Sequence, residues 1–237
     1  MKFLCLIAFC GGVASITSFN SCTKQQPIVF TDTTHTVAGK TWLALGDSYT
    51  IGQSVADTLR FPAQTEKLLS VNGIVMQNPL YIATTGWTTL DLQSGIKGYL
   101  LNNNYDVVSL LIGVNDQYHG WDTIDYRAHF TQLLQTSISQ AAGKNSHVVV
   151  VSIPDYSITP FASGSDTAHI RMQIDEFNAI NKQVTLQYQC NYVDITPASR
   201  QAKNNPSLIA SDGLHPSGLE YKVWADSLLP VMLNFLK

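Results

Sequence analysis

The chain has 237 residues, a net charge of −3, 45% hydrophobic residues and only 13% charged ones. Such a composition fits one folded domain with a full core, and it excludes a disordered or coiled-coil chain. No basic cluster occurs, so nucleic acid is not an expected partner, and the scattered Asp and Glu residues are expected on a solvated surface.

The N-terminus reads as an export signal. Lys2 supplies the positive charge, and residues 3–16 form an apolar stretch too short and too interrupted by Gly and Ser to make a good spanning helix. Residues 1–21 are therefore expected to be a signal peptide. Ser21-Cys22 makes Cys22 a candidate lipid acceptor of the bacterial lipoprotein type, with ordinary signal cleavage as the alternative. Cys5 and Cys10 lie within the signal, so the exported chain keeps Cys22 and Cys190. If Cys22 carries lipid, Cys190 becomes a small buried hydrophobe; otherwise a Cys22–Cys190 disulfide is open to it. Residues 22–39, rich in Thr, Gln and Ser, read as a tether, and 40–237 as one domain. The expected location is the periplasm, the outer membrane or the cell surface, with the membrane reached through the lipid anchor.

From Thr41 onward, short apolar runs alternate with amphipathic helical patterns, which predicts an α/β fold with a parallel sheet of about five strands covered on both faces. Strands are expected at 42–45, 75–82, 107–112, 148–153 and 192–195. One helix carries Tyr126, Phe130, Leu133, Leu134 and Ile138 at helical spacing and ends by Gly143. Another carries Ile170, Ile174, Phe177 and Val184. Ser217 and Glu220 form the pattern of a capping box opening the last helix, whose apolar face includes Val223, Trp224, Leu228 and Phe235.

Polar residues gather just after the predicted strands, which places them together at the carboxyl edge of the sheet. Gly46-Asp47-Ser48 follows the first strand, Gly86 the second and Gly113-Val114-Asn115-Asp116 the third, while Asp212-Gly213-Leu214-His215 leads into the final helix. Meeting the first, third and last of these motifs by accident has odds of about one in a thousand on average residue usage. Ester hydrolysis needs these residue types. Ser48 is the candidate nucleophile, His215 the base that takes its proton, and Asp212 the carboxylate that orients the imidazole. The backbone N–H groups of Ser48 and Gly86 and the amide of Asn115 are candidate donors to the developing oxyanion. Asp47 is read as a turn cap rather than a catalytic acid. His119, His129, His147 and His169 are read as solvated or structural. Residues 154–161, together with Trp87 and residues 118–121, are expected to form aromatic pocket walls.

These blocks resemble the SGNH (GDSL) hydrolase superfamily, and the resemblance runs from about Thr41 to the C-terminus. It implies a flavodoxin-like three-layer α/β/α sandwich with Ser48 as nucleophile, Gly86 and Asn115 as oxyanion donors, and Asp212 and His215 as the acid–base pair. The segment around Gly86 lacks the polar flanks common in the family, so Gly86 is assigned by position. No Gly-x-Ser-x-Gly elbow, metal motif or phosphate loop occurs, so neither cofactor nor metal is expected. Ser94-Gly95-Ile96-Lys97 matches a penicillin-binding signature without its companion motifs and reads as helix surface. The expected activity is hydrolysis of short-chain acyl esters through an acyl-serine, with acetylated glycans as the favoured substrates. The alternatives are a lysophospholipase or other lipid acyl hydrolase, an acyltransferase on the same residues, and a weakly active carbohydrate-binding surface lipoprotein.

Overall fold

A computed structural model describes residues 39–237 together with the backbone of the strand β1 (Phe30–Thr31). The expected signal peptide, Cys22 and most of the expected tether lie outside the described residues. Within the tether span, β1 pairs in parallel with β4 (Tyr99–Leu100), away from the main sheet.

The central sheet has five parallel strands in the order β3 (Leu80–Ala83), β2 (Trp42–Gly46), β5 (Val107–Leu111), β6 (Val148–Val151), β7 (Asn191–Val193). This is the doubly wound order, with β2 and β5 meeting where the winding reverses. All residues of β2, β5 and β6 are buried, because helices cover both faces. On these strands the side chains of both faces therefore enter core, which explains their almost wholly apolar sequence.

The second expected strand is shorter than its apolar run. Residues 75–77 run beside Lys40 through two backbone hydrogen bonds of 2.8 Å, but Met76 makes only an isolated bridge there. Pro79 has no N–H to offer, and the strand proper begins only at Leu80.

Helix α2 (Phe61–Val71) packs on α8 (Gly218–Leu236), while α5 (Thr123–Gln140) packs against α3 (Thr89–Ile96) and α6 (Thr167–Gln187). The buried stripe of α8 is Tyr221, Trp224, Ala225, Leu228, Met232 and Leu236, the i, i+3, i+4, i+7 pattern of one face. Val223 falls one residue off that stripe and is exposed, contrary to expectation. The expected capping box is half formed. Ser217 Oγ accepts the N–H groups of Leu219 and Glu220, but the Glu220 carboxylate accepts from Trp224 Nε1 at 2.7 Å instead of returning to the cap. A complete box stands at α3, where Thr88 and Asp91 cap each other.

The acidic residues are not all solvated. Asp47, Asp116, Asp155 and Glu220 are buried, each holding a local polar group. Asp155, for example, accepts Arg200 Nε at 2.8 Å and the Ser157 N–H at 2.9 Å. Cys190 is a free, buried cysteine, and burial pushes its thiol up to about 11.

Candidate active site

Two strand exits at the winding reversal supply the centre of the site. After β2, Asp47 caps the short helix α1 (Ser48–Ile51), its Oδ1 accepting the Tyr49 N–H at 2.9 Å. Ser48 is thus the first residue of a helix, and its N–H is one of the donors that no helical carbonyl can accept. After β5, the short helix α4 (Val114–Tyr118) begins beside Gly113 and carries Asn115.

Asp47 has the cap role read for it. Its Oδ2 is buried without a partner. Burial raises its carboxyl to about 8; the Tyr49 N–H opposes this and the neighbouring Asp116 charge adds to it. At neutral pH this acid therefore holds a proton in the main.

The Gly86 turn is tied to the Asn115 segment twice. Asn115 Nδ2 donates to the Trp87 carbonyl at 2.9 Å, and Asp116 accepts both the backbone N–H and the hydroxyl of Thr89. An amide nitrogen carries two hydrogens, so Asn115 keeps one to offer elsewhere. Gly86 has φ +83, a conformation that a side chain would strain, and the space beside it is open.

Asp212 and His215 are in direct contact. Asp212 Oδ1 accepts the N–H groups of Leu214 and His215 at 2.9 and 3.0 Å, and Oδ2 faces His215 Nδ1 at 2.6 Å. Gly213, at φ +74, lets the chain turn tightly enough for one carboxylate to reach all three groups. Burial pushes the Asp212 carboxyl up. Its donors, led by Ser54 Oγ at 2.6 Å, outweigh burial and hold it well below the usual carboxylate range. The Tyr49 ring supports the imidazole from one side, with ring centroids 5.3 Å apart. With Nδ1 held by a carboxylate, Nε2 is the nitrogen available to a serine hydroxyl.

Ser48, Gly86, Asn115 and His215 line one cavity of about 160 Å³, completed by Tyr49, Thr85, Val114, Tyr118, Tyr156, Phe161 and Leu214. Asp212 stands behind His215. The structure thus brings all five sequence-derived residues of the domain to one place. Of the expected aromatic walls, Tyr118, Tyr156 and Phe161 line the cavity as a cluster with ring centroids 6.1–6.4 Å apart. Trp87 does not; it lies against Gly95 of α3. Trp121 turns away to meet His129. None of His119, His129, His147 and His169 lines the cavity. Ser94 is exposed on α3 and donates to the Leu90 carbonyl. Tyr49 and Ser54 had no sequence signal, because their contacts with His215 and Asp212 cross the fold.

Among the described residues, no group of three or more His, Cys, Asp or Glu could hold a metal ion. The arrangement offers a hydroxyl, an imidazole backed by a carboxylate, and N–H donors around one small cavity. Such a set can transfer an acyl group from an ester to water.

Comparison with known proteins places these features. Residues 44–223 match the GDSL-like Lipase/Acylhydrolase family. No curated protein sequence matches significantly. The fold is similar to an acetylxylan esterase from Geobacillus stearothermophilus at 20% identity and TM-score 0.64, covering 82% of this chain and 94% of that one. A lipase/acylhydrolase from Enterococcus faecalis aligns at 18% identity and TM-score 0.64, covering 84% and 97%. A lipolytic G-D-S-L family member from Veillonella parvula aligns at 17% identity and TM-score 0.62, covering 81% and 98%.

Proposed function

This chain belongs to the GDSL-like lipase/acylhydrolase family and is a carboxylic-ester hydrolase, and on that premise we propose that it cleaves short acyl esters through an acyl-Ser48 intermediate. The observation that carries the reading is the Asp212–His215 contact of 2.6 Å, on a histidine that shares its cavity with Ser48. His215 Nε2 takes the Ser48 proton as Oγ attacks the ester carbonyl. The tetrahedral oxyanion receives the N–H groups of Ser48 and Gly86 and the second amide hydrogen of Asn115. Collapse returns the proton to the departing alcohol and leaves the acyl group on Ser48. Water, deprotonated by the same imidazole, then releases the acid.

The substrate reading rests on size and wall chemistry. A cavity of about 160 Å³ is smaller than the roughly 300–1,000 Å³ of sites that engulf drug-sized ligands, so it suits an acetyl group better than a long chain. The half-exposed rings of Tyr118 and Phe161 at the cavity suit the face of a sugar, which favours acetylated glycans. The Geobacillus stearothermophilus protein, an acetylxylan esterase, has the same fold, which is consistent with this choice. The N-terminal sequence adds the proposal of an exported enzyme anchored through lipid on Cys22.

A serine-directed fluorophosphonate tests the mechanism. It should label Ser48 in the folded protein and fail to label Ser48→Ala. Folded wild-type protein that takes no label would overturn the reading.

A further inference from the structure

Four residues other than glycine have a positive φ among the described residues: Ser54, Asn103, Ala142 and Gln189. Ala142 and Gln189 sit just past the ends of α5 and α6, where a left-handed residue commonly closes a helix. Asparagine tolerates this conformation well. Ser54 has neither explanation: it lies two residues beyond Gly52, the left-handed cap of α1, at φ +66. A serine held there costs free energy, and such outliers persist where surrounding contacts over-determine them.

The contact in question is specific. Ser54 Oγ donates at 2.6 Å to Asp212 Oδ2, the same oxygen that faces His215 Nδ1. The preceding residue reaches the other half of the site, where Gln53 Oε1 accepts the Thr85 hydroxyl at 2.7 Å beside Gly86. The backbone is anchored in turn, since the Gln53 N–H donates to the Ser48 carbonyl and the Val55 N–H to the Gly52 carbonyl. Gln53 and Ser54 thus connect the segment carrying Ser48 to both the Asp212 loop and the Gly86 turn.

We propose that Ser54 is a positioning residue of the acid–base pair, orienting Asp212 so that its carboxylate presents one fixed lone pair to His215. The inference rests on the hydrolase reading above and adds a fourth member to Ser48, His215 and Asp212. Without this donor the carboxylate is anchored only through Oδ1, by the Leu214 and His215 N–H groups. Oδ2 can then swing about that anchor, and the imidazole it holds would lose its aim at Ser48. The donor also withdraws electron density from Oδ2. Without it the carboxylate attracts a protonated imidazole more strongly, so more acid-inactivated enzyme is present at a given pH.

The discriminating variant is Ser54→Gly, which keeps the left-handed backbone available while removing the CH2OH side chain that reaches Asp212. Its melting temperature should match wild type within a few degrees. For an aryl acetate, kcat should fall about tenfold at unchanged KM, as expected for loss of one hydrogen bond to a charged group. The acid limb of kcat/KM should move to higher pH, and fluorophosphonate labelling of Ser48 should slow in proportion. A Ser54→Gly protein labelled at the wild-type rate would overturn this inference alone. A slowdown that comes with a lower melting temperature and an unmoved acid limb would overturn it too, since that pattern marks a structural role. Wild-type protein that takes no label would bring down the hydrolase reading and this inference together.

Discussion

The side-chain amide of Asn115 donates to the Trp87 carbonyl at 2.9 Å, joining the segment after β5 to the turn that carries Gly86. One hydrogen of that amide therefore fixes the turn, and the other is free for an oxyanion. The proposed role makes Asn115→Ala doubly damaging. It removes one donor and releases the turn that holds a second, so kcat should fall at least about 10²-fold. KM should change little, because the ground-state carbonyl accepts these hydrogen bonds only weakly. Steady-state kinetics on an aryl acetate checks this, and a change confined to KM would contradict the oxyanion role.

Asp212→Asn separates orientation from charge. The new side chain can still accept the N–H groups of Leu214 and His215 through Oδ1, so the loop should keep its shape. Its Nδ2 would replace the oxygen that faces His215 Nδ1, pitting donor against donor and favouring the tautomer that cannot take the Ser48 proton. Loss of kcat by about 10⁴-fold is expected, the size of the equivalent change in a Ser-His-Asp protease. Circular dichroism and the melting curve should stay near wild type. An Asp212→Asn enzyme with more than a tenth of wild-type kcat would remove Asp212 from the mechanism.

What could be read from the sequence, and what could not, divides by distance along the chain. The strands β2, β5 and β6 announced themselves as apolar runs, because burial on both faces favours apolar residues; the one polar side chain among them, Ser109, accepts Trp42 Nε1 at 3.0 Å. Asp212 and His215 were legible because three residues separate them and Gly213 permits the turn. Ser54 was not, since its partner lies 158 residues away and nothing in Gly52-Gln53-Ser54 signals a left-handed serine. Val223 and Trp87 went wrong for a related reason. Hydrophobicity says that a side chain prefers burial, but only packing decides which surface covers it, and Trp87 found Gly95 rather than the cavity. The buried acids divide in the same way: the cap made by Asp47 two residues from its donor was legible, whereas Asp116 meets Thr89 across 27 residues and Asp155 meets Arg200 across 45.

Chain-length preference should follow from the cavity. Acetyl esters should outrun butyryl esters, and octanoyl esters should gain little, because about 160 Å³ encloses only a short acyl group. Phe161 is half exposed beside Tyr118 and Tyr156, so Phe161→Ala should leave the core intact. On acetylated xylan it should raise KM several-fold, since an aromatic contact of this kind contributes about 0.5–1.5 kcal/mol. On a small aryl acetate it should do less. Faster turnover of octanoyl than acetyl esters would move the assignment towards lipid substrates.

Asp47 makes stability depend on pH in a direction opposite to that of most carboxylates. Burial holds its carboxyl at about 8 in the folded chain, against an ordinary value of about 3.9 when unfolded. Between these two values the folded state keeps a proton that the unfolded state has released. The contribution is therefore fully present below about pH 4, declines as pH rises through the interval, and is lost above about 8. Asp47→Asn retains an oxygen to accept the Tyr49 N–H and carries no charge at any pH. Each kcal/mol moves the midpoint of a chain this size by about 2–4 °C. Integrated between pH 5 and pH 8 the difference is about 3–4 kcal/mol, so the wild-type melting temperature should drop by about 7–14 °C more than that of Asp47→Asn. Burial also raises Asp116 and Glu220, and those residues remain in both proteins, so the difference between the two curves reports Asp47 together with its coupling to the neighbouring Asp116. Parallel curves across that range would mean that Asp47 is ionised in the folded protein and that its second oxygen has found a partner.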